Sequence, residues 1–183
     1  MIDLPKRFPT LSTKRLCLKI PDKKYIKEMT ILANDKEVSK NLSSLPYPYN
    51  EEDAKKWIES AMKKFEDKML MSFVITDKQE GYYMGNIDLI FSHDHNHATL
   101  GYWLGKPYWG KGYMSEAVRE LIRYGFEVLK LHRIASHHFH TNPASGRVMQ
   151  KAGMTPEGIR REHFKKAEVY LDIHDWGILR EEF

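Results

Sequence analysis

A chain of 183 residues, 42% hydrophobic and 30% charged, has the size of one domain and the composition of a soluble globular protein, and it lacks the ~20-residue apolar run of a membrane span. The formal charge of +4, with basic residues interleaved with acids as in DKKYIKE and EEDAKKWIE, is too small and too mixed to imply nucleic acid as a partner. The lone Cys17 excludes an intramolecular disulfide and MIDLPKRFPT carries no apolar signal region, so the cytoplasm is the expected setting.

Residues 15–20 alternate, with Leu16, Leu18 and Ile20 on one face, and predict a strand. Asp22 stands where a helix cap belongs, before Tyr25, Ile26, Met29, Leu32 and Ala33 on one stripe. SSLPYPYN is a loop, because its two prolines remove donors and fix φ. Asn50 caps a second helix with an acidic first turn (Glu51, Glu52, Asp53) and the stripe Ala54, Trp57, Ile58, Ala61, Met62 and Phe65. Residues 71–76, 84–91 and 98–104 then predict three strands in an antiparallel meander, joined at DKQEG and SHDHNH. A helix is expected over 114–130, a strand over 133–139 and a short helix over 142–152. The last has Asn142 at its cap, Pro143 at its first position and Gly153 just past its end. Strands around 159–164 and 169–173 complete an α/β (α+β mixed) fold over residues 1–183. Only the unit through the 114–130 helix demands parallel pairing.

Chemistry concentrates in GYWLGKPYWGKGYMSEAV, residues 101–118, where a strand runs through Gly105, Gly110 and Gly112 into an amphipathic helix. Glycines let successive N–H groups converge, and a helix start adds free donors and a positive dipole end, which together suit a pyrophosphate. A plain strand-to-helix turn is the bland alternative. Gly105 to Lys111 also fits G-x-x-x-x-G-K, but Gly112 stands where a magnesium-binding hydroxyl belongs, so a nucleotide triphosphatase ranks low. His93, His95 and His97 alternate in a turn-like SHDHNH, and His137, His138 and His140 cluster on a strand. No closely spaced zinc pattern completes either group, so no metal is expected and His138 reads as a packed histidine that could line a cleft. Tyr102, Trp103 and Tyr170 read as core or cleft wall.

Trp109-Gly110-Lys111-Gly112-Tyr113-Met114 resembles the acetyl-CoA signature Q/R-x-x-G-x-G/A of the GNAT superfamily, with Trp109 and Met114 departing from it. The wider run resembles the GYWLG-x-x-YWGKGY-x-x-EA block of its RimJ/RimL-type branch. So do Thr13-Lys14-Arg15-Leu16, LKLHRI at 129–134, NPASGRVMQKAGM at 142–154, GIRREHF at 158–164 and DWGILREEF at 175–183. The resemblance implies a GNAT fold, a mostly antiparallel mixed sheet splayed open for acetyl-CoA and flanked by helices. It implies pantetheine beside Trp103 and Leu104, and the pyrophosphate on the amides of 110–115, so that Trp109, Gly110, Lys111, Gly112, Tyr113, Met114 and Ser115 form the cofactor loop. Asn142 and Ser145 would face the thioester, with Ser145 protonating the leaving thiolate. The alternative is that Asn142 serves only as a cap and Ser145 only fills the first helical turn.

The implied activity is acetyl transfer to a primary amine, with a protein or peptide N-terminal α-amine as the expected acceptor. A small amine such as a polyamine or antibiotic, or a non-catalytic acyl-CoA-binding module, remains open. Related enzymes often carry Glu in an A-E-L-G-Y run; here Thr99 takes that place and cannot act as a base near neutral pH. Glu116, Asp88 or His138 could substitute. The partners expected are acetyl-CoA and an amine, with no nucleic acid and no membrane, and oligomeric state has no signature in the chain.

Overall fold

The computed structural model describes residues 2–183. In chain order its elements are β1 (Leu11–Ser12), β2 (Leu16–Lys19), α1 (Ile26–Ala33), α2 (Lys36–Ser39), α3 (Glu51–Glu66), β3 (Leu70–Asp77), β4 (Tyr83–Ser92), β5 (His97–Leu104), α4 (Tyr113–Glu127), β6 (Arg133–Phe139), α5 (Pro143–Lys151), β7 (Thr155–Lys166) and β8 (Val169–Leu179). Eight strands form one sheet in the order β1-β2-β3-β4-β5-β6-β8-β7. Every pairing is antiparallel except β5 with β6. This is the mixed, helix-flanked sheet that the alternation pattern and the resemblance both imply.

The helices form where local chemistry dictates. Asp22 accepts from Lys24 N before a 3₁₀ turn that leads into α1. At α3, Asn50 Oδ1 accepts from Glu52 N and Asp53 N, and Asp53 reaches back to Asn50 N at 3.0 Å, closing a capping box. Such a box contributes on the order of 1 kcal/mol to a helix end. The two helix layers bury different sheet faces. Met71, Phe73 and Ile75 of β3, Ile87 and Leu89 of β4, and Leu100 of β5 pack beneath α4, in a core shared with Leu16 and Leu18. On the other face, Val74 and Tyr83 pack against Tyr25, Met29, Ala54 and Ile58 of the α1 and α3 layer. Leu18 is fully buried, and Leu18→Ala would cost about 2–5 kcal/mol through lost transfer and the cavity left behind.

Four elements differ from the sequence expectation. Two-residue β1 and four-residue α2 are too short to show a period. β7 and β8 run to 12 and 11 residues, well beyond the stretches around 159–164 and 169–173. β7 is exposed along nearly its whole length, and its register with β8 shifts twice, so no clean alternation marks it. Among the described residues no helix is long and apolar enough to cross a membrane.

Candidate active site

The β5 and β6 strands pair over three residues only, His97↔Arg133, Ala98↔Ile134 and Thr99↔Ala135, and then diverge. At the point of divergence Ser136 Oγ donates to the Leu100 carbonyl at 2.9 Å, a side-chain bond where the next backbone rung would be. Beyond it the edge of β5 is open. Further along, Trp109 Nε1 donates to the Leu104 carbonyl at 2.8 Å and folds the glycine loop back onto the strand end.

A cavity of about 690 Å³ fills this splay and continues to the loop after α2. Trp103, Leu104, Trp109, Gly110, Gly112, Tyr113, Met114, Ser115, Asn142 and Ser145 all line it, brought together from β5, the glycine loop and two helices. Lys111 is not among the lining residues: its side chain is exposed and its carbonyl accepts from Arg15 Nη1 at 3.0 Å.

Helix α4 opens this cavity with no side-chain cap, unlike α3 and α5. Gly112 holds the left-handed region at φ 78°, and Gly110 does so at φ 73°. Glu116 N is satisfied by the Gly112 carbonyl, and the preceding amides of the first turn point outward without a cap. That end of a 15-residue helix offers free donors and a positive dipole end, the chemistry that suits an anion. Met114, the bulky departure in the loop, is 8% exposed and packs into the main core, so its size does not crowd that helix end.

The Thr13-Lys14-Arg15 segment has a role that reading it as a strand opening misses. Thr13 Oγ1 and Arg15 N donate to Glu116 Oε1 at 2.5 and 2.8 Å, while Arg15 Nε donates to Oε2 at 2.7 Å. The Arg15 guanidinium also lies 4.3 Å over the Tyr113 ring. The turn that leads into β2 thus clamps the start of α4. Although partial burial opposes it, these donors hold the Glu116 carboxyl below its ordinary range. A carboxylate so occupied is a fixed structural anion, which removes Glu116 from the candidate bases.

At the other end of the splay, Asn142 caps α5: its Oδ1 lies 3.4 Å from Ser145 N. Ser145 Oγ lies 2.8 Å from Tyr102 Oη, which also donates to the Ser145 carbonyl at 3.2 Å. Tyr102, read from sequence as wall, is therefore also a hydrogen-bond partner of Ser145. Burial pushes its hydroxyl above the usual phenol range, so it stays protonated near neutral pH and remains a donor. The 43-residue separation left no local signal for this pairing.

The buried His138 sits with Nδ1 2.8 Å from the Phe139 carbonyl, so that nitrogen carries the hydrogen. Burial lowers its pKa and keeps the ring neutral. Its Nε2 faces Gly146 of α5, where an added Cβ would come within 2.7 Å. His93 is committed elsewhere, with Nδ1 accepting from Ile2 N at 3.2 Å and Nε2 2.6 Å from the Lys68 carbonyl. Among the described residues no group of three or more His, Cys, Asp or Glu is placed to hold a metal.

Residues 15–155 match the family model described as acetyltransferase (GNAT) domain. The chain belongs to the GNAT acetyltransferase family. It is 28% identical over 178 residues to the uncharacterized N-acetyltransferase p20 of Bacillus licheniformis, covering 95% of this chain and 98% of that one. A GNAT-family acetyltransferase structure from Bacillus anthracis superposes with a TM-score of 0.85 at 25% identity, over 94% of this acetyltransferase and 99% of that chain. RimL, the ribosomal L7/L12 α-N-protein acetyltransferase solved with coenzyme A, also superposes with a TM-score of 0.85, over 93% of this chain and 98% of its own; at 18% identity this likeness speaks for the fold. The protein is an acetyl-CoA-dependent N-acetyltransferase, and the geometry above is its candidate active site.

Proposed function

We propose that this acetyltransferase moves an acetyl group from acetyl-CoA onto the α-amine of a protein or peptide N-terminus, by direct attack on the thioester within one domain spanning the chain. The observation that carries the reading is the splay itself: an uncapped helix start at one end and the Ser145–Tyr102 pair at the other share one cavity. The pyrophosphate rests on the amides of 110–115 at the positive end of α4. The pantetheine arm pairs with the open edge of β5, where strand alternation puts the backbone of Tyr102 beside the Leu100 and Leu104 carbonyls. Asn142 and Ser145 then flank the thioester, and a backbone N–H stabilises the oxyanion. When the C–S bond breaks, Ser145 Oγ gives its proton to the leaving sulfur, the Tyr102 hydroxyl turns from the Ser145 carbonyl to donate into Oγ, and Oγ is reprotonated through solvent by a proton released from the amine. RimL carries out the same class of transfer on a ribosomal protein's N-terminus and shares the fold.

The choice of acceptor follows from proton chemistry. Only a neutral amine attacks, and three of the groups near the site supply no base: Thr99 is a hydroxyl, Glu116 is fixed in its clamp, and His138 Nε2 faces α5. An α-amine has a pKa of about 7.7–8.0 against about 10.4 for lysine, a difference of about 3.4 kcal/mol in presenting the neutral form. At pH 7, kcat/KM for peptides with a free N-terminus is expected to exceed that for an N-blocked lysine peptide or spermidine by on the order of a hundredfold. Release of CoA thiol, with products read by mass spectrometry, measures it. Comparable values for lysine peptides or spermidine would overturn the α-amine assignment, and binding of acetyl-CoA with no amine turned over would overturn the catalytic one.

A further inference from the structure

Two carboxyl groups line the cavity: Asp53 is engaged in the capping box of α3, and Asp88 is not used by the acetyl-CoA side of the site. Asp88 sits on β4 in register with Gly101 of β5, and Ile90 is in register with Thr99. Side chains two apart on a strand share a face, so Asp88 and Thr99 are diagonal neighbours across the β4–β5 ladder, about 7–8 Å apart. Both line the cavity. Gly101 leaves the carboxylate uncovered from β5, since the nearest atom to a Cβ added there would be Asp88 Oδ2 at 3.8 Å.

Asp88 is also unsatisfied. Its Oδ1 is buried without a hydrogen-bond partner, as is the Oγ of Ser72, its register partner on β3. A carboxylate buried with one oxygen empty costs free energy that an N–H donor at its other oxygen, Oδ2, beside Gly101, would offset. An ammonium group supplies three such donors and a compensating charge.

We propose that Asp88 is the acceptor-side catalytic carboxylate: it receives the amine as its ammonium form and takes its proton before attack. This rests on the acetyl-transfer reading above. The balance is complete. Asp88 accepts one proton from R–NH3+; the freed nitrogen lone pair forms the C–N bond as the C–S bond breaks. A second N–H proton is lost on amide formation, so one proton ends on the CoA sulfur and one in solvent. Asp88 thereby does from β4 what a carboxylate at position 99 would do from β5.

The surroundings agree. Burial pushes the Asp88 carboxyl up to about 6, while the nearby Ser72 hydroxyl, without closing a well-formed bond, and Lys64 of α3 pull it partly back. Lys56 and Asp53 of α3 and His137 of β6 line the same cavity, and the Tyr83 hydroxyl of β4 is occupied with Asn86 at 2.8 Å. A base with that proton affinity accepts from an α-ammonium against a gap of about 2 units and from a lysine ammonium against a gap of more than 4. The α-amine preference survives a real base.

The test is the pH dependence of kcat/KM for acetyl transfer to trialanine amide. Unassisted, the rate rises only through the amine's own pKa of about 7.7–8.0. With Asp88 as base, the deprotonated carboxylate is the active form, so activity is lost as pH falls through about 6 and the half-rise lies there. Asp88→Asn is expected to lower the rate at pH 7 on the order of 10²-fold and return the half-rise to the amine's value. Acetyl-CoA binding, read by calorimetry, should not change. Thr99→Glu in the Asp88→Asn background should restore part of the rate and move the half-rise back below 7. A wild-type half-rise at the amine's own pKa, which needs no variant to detect, overturns the proposal. So does an Asp88→Asn enzyme with an unchanged profile and a rate within twofold of wild type; in that case the acetyl-transfer reading stands. Acetyl-CoA binding with no transfer to any amine would overturn that reading, and this proposal with it.

Discussion

At the scale of single residues, Ser145, Gly146 and Asp88 decide whether the site is built correctly. Ser145→Ala removes the hydroxyl beside Tyr102 and is expected to lower kcat on the order of 10²-fold while leaving KM for acetyl-CoA nearly unchanged, because a proton donor acts in the transition state. Steady-state kinetics at saturating amine checks it; an unchanged kcat would mean that solvent protonates the thiolate. Gly146→Ala opposes two effects. Alanine favours a helix interior by up to about 1 kcal/mol, but its methyl would meet His138 Nε2 at 2.7 Å, and overpacking costs about 1–3 kcal/mol. His138 is 8% exposed, with the His174 ring 5.1 Å away, so it has little room to yield. The net expectation is a lower Tm and a displaced Ser145 with reduced turnover. Asp88 has a thermodynamic signature separate from catalysis. Its folded-state pKa, raised to about 6 by burial, lies above the unfolded value near 3.9, so the folded state binds the extra proton between the two. Its contribution is therefore favourable at low pH and is lost as pH rises from about 4 through 6, by about 3 kcal/mol in all. Denaturant melts should show the stability of Asp88→Asn gaining on wild type across that window; parallel pH curves would refute it.

At the scale of elements, the glycine loop does not hold its own shape. The turn before β2 holds it, through Arg15 and Thr13 on Glu116, and Arg15 also grips the Lys111 carbonyl. Glu116→Gln keeps the length of the side chain but discharges the ion pair with Arg15. Acetyl-CoA affinity measured by calorimetry is expected to fall several-fold while α4 stays folded. Gly112→Asp acts on the same loop from within: it forces a Cβ into φ 78° and places a negative charge where the proposal seats the phosphates, so acetyl-CoA binding should be nearly abolished. The acceptor end is held by a different tie. Lys166 Nζ donates to the Ser39 carbonyl at 2.6 Å and to the Leu42 carbonyl, strapping the end of β7 to the loop that lines the cavity after α2. Lys166→Met is expected to raise KM for the amine and leave KM for acetyl-CoA unchanged, a split that a general loss of stability would not produce.

At the scale of the whole molecule, the cofactor is expected to contact β5, α4 and α5 at once, so it binds the folded state only. Acetyl-CoA at a hundredfold excess over its Kd should add about 2.7 kcal/mol, a Tm rise of about 5–10 °C for a chain of this size. A thermal melt with and without acetyl-CoA checks it, and Gly112→Asp should abolish the shift.

The amino-acid sequence by itself determined the elements whose causes are local. The stripe of α3 with its Asn50 cap, the alternation of β3 to β5, and the Asn142–Pro143 start of α5 each depend on a few consecutive residues and a fixed period. The loop glycines were legible for the same reason, because a positive φ at 110 and 112 requires them. β1 and α2 escaped because a period needs more than two or four residues, and β7 because exposure and bulges erase alternation. Only the tertiary structure decided which groups are free to act. It committed Glu116 to Arg15 and turned His138 toward α5. It set Tyr102 against Ser145 and left Oδ1 of Asp88, on the cavity wall, without a partner. A base or proton donor is defined by the groups that meet it in space and by the water it loses, and those partners lie up to 103 residues away along the chain.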